Sequence, residues 1–263
     1  RIINGVRNKS SQALFTSHSP YVLEEFPPEQ VLVLKREDGV LTSVAATYPP
    51  TVKPKAYKEE VKKRFCEALL ARRVLITEGR TEFDAFPAAA RRLHELHADE
   101  FHTLEGLGVA VLDATTDSQV APLGEYFTGL GKVVFAVFDK QQPAQKALIE
   151  ASVKHPFEAT EKGFENVVLQ GTQETALRRF ADYLVKDDHW PSHLTAAKPT
   201  NGMALADLVA SLRQLLKWGK GNGYAADLLT MCAKEEMPAF IVTTLSAIQA
   251  VIEPPQLPEA DGL

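Results

Sequence analysis

Two hydrophobic periods alternate through the middle of this chain. Val74, Leu75 and Ile76 form a short continuous apolar run ending at Thr77, as a strand covered on both faces requires. From Thr81 to Leu96 apolar residues recur on one face of a helix. The alternation then repeats. "GVAVLDA" (108–114) reads as a second strand, "SQVAPLGEYFTGLG" (118–131) as a helix closed by Gly131, and "KVVFAVFD" (132–139) as a third strand. "HPFEATEKGFENVVL" (155–169) fits a fourth short strand turning into a helix. Strands alternating with helices of this length predict parallel βαβ units, hence an α/β fold with a mainly parallel sheet flanked by helices.

The flanks read differently. Residues 12–48 are short strands and turns: an apolar run in "QALFTSHSP", a helix start at Pro20, and a hairpin in 29–47 turning at Asp38-Gly39. "YPPTVKPKAYKEEVKKRFCEALLARR" (48–73) begins as a proline-rich linker and becomes an amphipathic, basic helix. From about Gly171 the pattern is helical, in segments 174–185, 202–218, 223–235 and 238–252 separated by Pro and Gly, with a frayed tail after them.

Composition narrows the class. The 263 residues are 45% hydrophobic and 24% charged, ordinary for a soluble globular protein with a real core. No apolar run approaches membrane-spanning length, and "RIINGVRNKS" lacks a signal-peptide core. The chain opens without Met, and we expect a piece of a longer protein. Cys66 and Cys232 have no zinc-ligand spacing and read as reduced thiols of a cytoplasmic protein. The net charge of −5 argues against a surface basic all over, but leaves room for a local basic face that binds nucleic acid.

The candidate chemistry lies where the predicted strands end. In a parallel sheet, ligands collect outside the carboxyl ends of the strands. Glu78 follows the first strand, Asp113 ends the second and Asp139 ends the third. Glu82, four residues after Glu78, brings a second carboxylate toward the same point, and Gly79 between them suits a tight turn with room for a ligand. Clustered carboxylates repel unless a cation joins them, and oxygen donors suit Mg2+ or Mn2+. The competing reading of Glu78 and Glu82 is that they complement the dipole of the following helix.

"VLITEGRTEFDAF" (74–86), followed by "VVFAVFDKQQ" (133–142), resembles the Toprim domain shared by topoisomerases, bacterial primases and nucleases of the OLD (overcoming lysogenization defect) family. The signature is a strand ending in Glu-Gly, here Glu78-Gly79, and a later strand ending in Asp-x-Asp. Asp139 holds the first Asp, while Gln141 departs from the pattern at the second. "LFTSHSPYVLEEFPPEQVLVLKRED" (14–38) resembles the end of an ABC-type ATPase domain, in which His18 would contact a nucleotide in a full-length protein. An ATPase ending followed by a Toprim domain is the OLD arrangement. The resemblance divides the chain into an ATPase remnant (1–50), a linker helix (51–72), a Toprim core (73–170) and a helical region completing the active site (171–263).

What the resemblance implies is a Mg2+- or Mn2+-dependent DNA endonuclease using two ions about 4 Å apart. Its metal ligands would be Glu78, Glu82, Asp139, Glu165 and Asp113, with Glu161 a lesser candidate beside Glu165. Lys220, or failing it Lys217, would act on the scissile phosphate; Glu78 and Lys220 are the catalytic candidates. Arg80, Lys62, Lys63, Arg91 and Arg178 would hold DNA phosphates. Family expectation adds a UvrD-like helicase partner, a homodimer formed through the absent ATPase domain, and roles in phage defence or DNA repair. No Walker A motif is present, so ATP would act only through an upstream domain. A topoisomerase lacks its strand-passing domain here, a primase its zinc module, and a phosphoacceptor domain its acidic pair. The nonenzymatic alternative is a Toprim-like platform for docking, DNA binding or dimerisation, lacking the second Asp.

Overall fold

A computed structural model describes residues 14–47, 59–186 and 189–252. The expected proline-rich linker at 48–58 and the tail after 252 lie outside the described residues, as do the side chains of residues 59–62.

The N-terminal part carries an antiparallel hairpin of β1 (Leu32–Glu37) and β2 (Val40–Ala45), with Glu37 opposite Val40. Asp38 and Gly39 both have positive φ, 48° and 82°, as a two-residue hairpin turn that follows strand twist demands. Residues 14–19 form no strand, and the helix at Pro20 is a single turn, Pro20–Leu23. Below the hairpin, Val31 and Val33 pack on the core, and the Tyr126 hydroxyl donates to the Ala46 carbonyl at 2.9 Å.

The central sheet has four parallel strands in the order β4-β3-β5-β6: β3 (Arg73–Thr77), β4 (Val109–Asp113), β5 (Val133–Phe138) and β6 (His155–Glu158). The predicted fourth strand is therefore present and pairs with β5. Strand β3 lies inside the sheet, and its side chains divide by the strand period of two. Val74 and Ile76 join one core with Phe65, Ala68 and Leu69 of α1 (Glu59–Leu70) and Val120, Leu123 and Phe127 of α3 (Asp117–Gly129). Ile149 of α4 (Pro143–Ser152) completes that layer.

Leu75 faces the other core. It meets Ala85, Phe86, Ala89 and Leu93 of α2 (Arg80–Leu96), and behind them the helices that follow β6. Those helices are α5 (Phe164–Gly171), α6 (Glu174–Lys186), α7 (Leu205–Trp218), α8 (Tyr224–Thr230) and α9 (Ala239–Val251). The helical region thus shares one hydrophobic core with the sheet, an arrangement that lets residues near 220 reach the strand ends. The helix expected across 223–235 stops at Thr230. Beyond it Glu236 turns back to accept the Ala233 N–H at 2.9 Å, forming a separate turn. Cys66 and Cys232 are both buried and are not joined in a disulfide. No helix among the described residues is long and apolar enough to cross a membrane.

Candidate active site

Strand pairing continues one residue past β3: the Glu78 N–H donates to the Val137 carbonyl at 3.0 Å, which fixes the root of the Glu78 side chain beside the end of β5. Oε2 of Glu78 then accepts two hydrogen bonds, from the Asp139 N–H and from Nε2 of Gln141, both at 2.9 Å. Gln141, at the position of the missing second Asp, therefore serves as a donor to Glu78. Its own N–H is held by Oε1 of Glu158 at 3.0 Å, and Lys146 holds the other oxygen of Glu158 at 2.6 Å.

Gly79 caps α2 in extended backbone, φ −148° and ψ −177°, which any residue adopts. Conformational freedom is not its use here, contrary to the tight turn expected from sequence. A Cβ on Gly79 would stand 3.3 Å from Oε2 of Glu82, so the glycine leaves space for that carboxylate. Glu82 is only 4% exposed in the first turn of α2.

Electrostatics show how closely these acids are confined. Burial, with the charges of Asp139, Glu78 and Glu165 added, pushes the Glu82 carboxyl up to about 8. Burial also raises Glu78, to about 7; the hydrogen bond from Asp139 N opposes this, and the charges of Asp139 and Asp117 add to it. Asp139 is raised by burial too, against the Gly163 N–H that donates to its Oδ2 at 2.6 Å. Lys220 and Lys162 pull it the other way. Lys220, in the connection between α7 and α8, stands 2.6 Å from Oε1 of the buried Glu165 at the start of α5. That pairing raises the Lys220 ammonium, with Glu82 and Asp139 contributing.

Glu78, Glu82, Asp139, Glu165 and Lys220 therefore act on one another, although they come from four separate stretches of chain. Among the described residues, no three His, Cys, Asp or Glu side chains already stand at the spacing that would clasp one ion. The oxygens are occupied instead: Glu78 by two donors, Asp139 Oδ2 by Gly163 and Glu165 by Lys220. Oδ1 of Asp139 is buried and without a hydrogen-bond partner among the described residues, as is Oε1 of Glu165 apart from its ion pair with Lys220. An orphaned carboxylate oxygen inside an all-oxygen donor set has the right chemistry for a hard divalent cation.

The remaining candidates lie differently. Oδ1 of Asp113 accepts the Thr115 N–H at 2.6 Å, and the charges it feels are those of Arg80 and Asp84 rather than the four clustered acids. Asp117, in the first turn of α3, is the acid beyond strand β4 whose charge reaches Glu78. Arg80 pairs with Asp84 at 2.8 Å, Arg91 with Glu105 at 2.7 Å and Arg178 with Glu174 at 2.6 Å. Lys63 lies over the Tyr21 ring, 4.8 Å from its centroid. The Lys62 side chain lies outside the described residues, the backbone carbonyl of Glu161 accepts the Lys140 N–H, and His18 is exposed before the first helical turn. Sequence reasoning missed the structural use of Gln141, since a residue off the motif gave no sign of what it would touch.

Residues 69–140 match the family model described as the overcoming lysogenization defect protein-like Toprim domain. Among solved structures, the C-terminal region of the Burkholderia pseudomallei OLD protein is similar at 18% identity and TM-score 0.50, covering 69% of this chain and 98% of that one. The C-terminal region of the Xanthomonas campestris pv. campestris OLD protein is similar at 19% identity and TM-score 0.50, covering 69% and 96%. At these identities the likeness concerns the fold. Comparison with curated proteins gives no match.

Proposed function

Starting from an OLD-like Toprim domain at residues 69–140, we propose that this chain is the catalytic portion of a metal-dependent DNA endonuclease, hydrolysing phosphodiester bonds. The observation that carries the proposal is the meeting of Glu78, Glu82, Asp139 and Glu165 with Lys220 at the carboxyl ends of β3 and β5. Acids raised by burial, and further by one another's charge, are costly to a fold, and a site that uses them justifies that cost. Glu78, Glu82, Asp139 and Glu165 would hold Mg2+ or Mn2+, two ions in all. Asp113 is a peripheral candidate that would have to release Thr115. When bound, such ions supply Lewis acidity toward the phosphate, a water made nucleophilic at neutral pH, and stabilisation of the leaving oxygen.

The chain's own residues do the rest. Gln141 and the Asp139 N–H hold Oε2 of Glu78 in one direction, so that Oε1 would be the oxygen to take a metal ion. Lys220 presents its ammonium where negative charge grows on the phosphate, and Glu165 restrains it there. Arg80, Arg91 and Arg178 would meet DNA phosphates by sharing or leaving the acids they now pair with, and Lys63 by leaving the Tyr21 ring. Supercoiled plasmid incubated with Mg2+ or Mn2+ tests the proposal: nicking or linearisation that EDTA stops supports it, and intact plasmid under every metal rejects it.

One observation favours a second reading. Gln141 removes an acid from the motif, and the remaining carboxylates are not drawn together at ligand spacing. A Toprim-like platform that binds DNA or a partner without cutting would have these features, and would leave plasmid intact while still retarding it in a gel.

A further inference from the structure

The chain has two tryptophans, and they occupy opposite environments. Trp190 is 6% exposed, and its indole N–H donates to the Leu194 carbonyl at 2.9 Å. Trp218 is 72% exposed, although a residue of this size is usually well covered. The local chain explains how it stays outside. Trp218 is the last residue of α7, and Gly219 follows as its cap. A Cβ at Gly219 would come within 2.5 Å of the Tyr224 ring and 2.9 Å of the Leu215 carbonyl oxygen. The backbone therefore passes tightly over Tyr224 at this point. Trp218 stays exposed, while Lys220, two residues on, turns in to Glu165.

Trp218 thus lies within about two residue lengths, roughly 7 Å of chain, of the lysine that enters the carboxylate cluster. Two lysines flank it in the chain: Lys217 is exposed, and Lys220 reaches Glu165 of the carboxylate cluster. An exposed indole between lysines, one of which reaches an acidic site, suits a nucleotide, base against ring and phosphate against lysine.

We infer that Trp218 is a stacking platform for an unpaired base of the DNA strand held at the carboxylate cluster, an inference that rests on the nuclease reading for the identity of its ligand. In a duplex both faces of each base are covered by neighbours, so only single-stranded, frayed or flipped-out nucleotides offer a face to the indole. The substrate class that follows is DNA with unpaired nucleotides close to the scissile bond.

The test uses the chain's own fluorescence in EDTA, where no cleavage occurs and the buried Trp190 is a silent reference. A single-stranded oligothymidylate should quench the Trp218 emission saturably, and a duplex with the same number of phosphates should not. Trp218→Ala should weaken binding of the single strand roughly 10-fold or more, the scale expected for loss of one stacked base, and Trp218→Phe should retain part of the affinity. Equal quenching by duplex, or a Trp218→Ala variant that binds single strand as tightly as wild type, overturns the inference. Plasmid cleavage measured in parallel separates the two readings: quenching without cleavage leaves the platform standing and removes the nuclease, whereas cleavage without quenching does the reverse.

Discussion

Nε2 of Gln141 donates to Oε2 of Glu78 at 2.9 Å, on the same carboxylate oxygen that the Asp139 N–H reaches. A side chain at the motif's missing acid has become a restraint on the motif's first acid. The restraint is itself anchored, since Glu158 holds the Gln141 N–H and Lys146 holds Glu158. An amide here also spares the cluster a further negative charge beside carboxyls already raised by burial and, after it, by their neighbours.

Gln141→Met keeps the shape and removes the donor. We expect Mn2+ affinity, measured by titration calorimetry, to fall roughly 10-fold, as when an outer partner of a metal ligand is lost. Gln141→Glu adds an acid in place of the donor. If it binds Mn2+ more tightly than wild type, Gln141 is a lost ligand and not a restraint.

Gly79→Ala should fold almost as stably as wild type, because the backbone there is extended and accepts any residue. The added methyl would press on Oε2 of Glu82 from 3.3 Å and displace it. Reduced Mn2+ affinity with an unchanged melting temperature is the expected pair of results. A large loss of stability would instead mean that the backbone needs glycine.

Lys220→Ala separates catalysis from stability. The Lys220–Glu165 pair is half-exposed on the lysine side but buried at Glu165, so losing the lysine should cost folding about 1–3 kcal/mol, short of unfolding the chain. Removing a cation aimed at developing charge should lower kcat about 100-fold or more. A drop in kcat matched by an equal loss of folded protein would reduce Lys220 to a structural role.

Glu236 ties the segment before α9 to α6. It accepts from Arg179 at 2.9 and 3.0 Å, from Thr175 at 2.7 Å and from Ala233 N at 2.9 Å, and the Arg179 bonds lead in holding its carboxyl down at about 2. A carboxyl depressed in the folded state adds stability that is complete above its ordinary value near 4.5 and lost as pH falls toward 2. Glu236→Gln should therefore cost about 1–3 kcal/mol in urea unfolding at pH 7. The gap between variant and wild type should shrink by pH 3; a gap independent of pH would show that the charge contributes nothing.

The sheet was legible in the sequence because covered strands and one-faced helices have different periods, and β3, β4 and β5 fall where apolar runs predicted them; β6, His-Pro-Phe-Glu, has no such run and its segment read ambiguously. The acids at the strand ends were legible for the same reason, position along a strand being a local property. Other features depend on distant chain. The hydrogen bond of Gln141 requires knowing that residue 141 meets residue 78. Gly79 was read as a backbone hinge because φ is not written in sequence, and its use as space for Glu82 appears only with the side chain in place. Nothing local separates Trp190 from Trp218; one finds a carbonyl to bond in the core and the other is left outside by Gly219. The helix at 223–235 was overlong because Glu236 captures the Ala233 N–H and starts a new turn.

The central claim is that the buried acids serve metal-dependent cleavage. The most direct measurement is the rate of supercoiled-plasmid nicking in Mn2+ by wild type, Glu78→Gln and Asp139→Asn, substitutions that keep side-chain size and remove only charge. Nicking by wild type that EDTA stops, and that both variants lose by about 100-fold or more, is the predicted result. Undiminished nicking by the variants, or none by wild type, would contradict it.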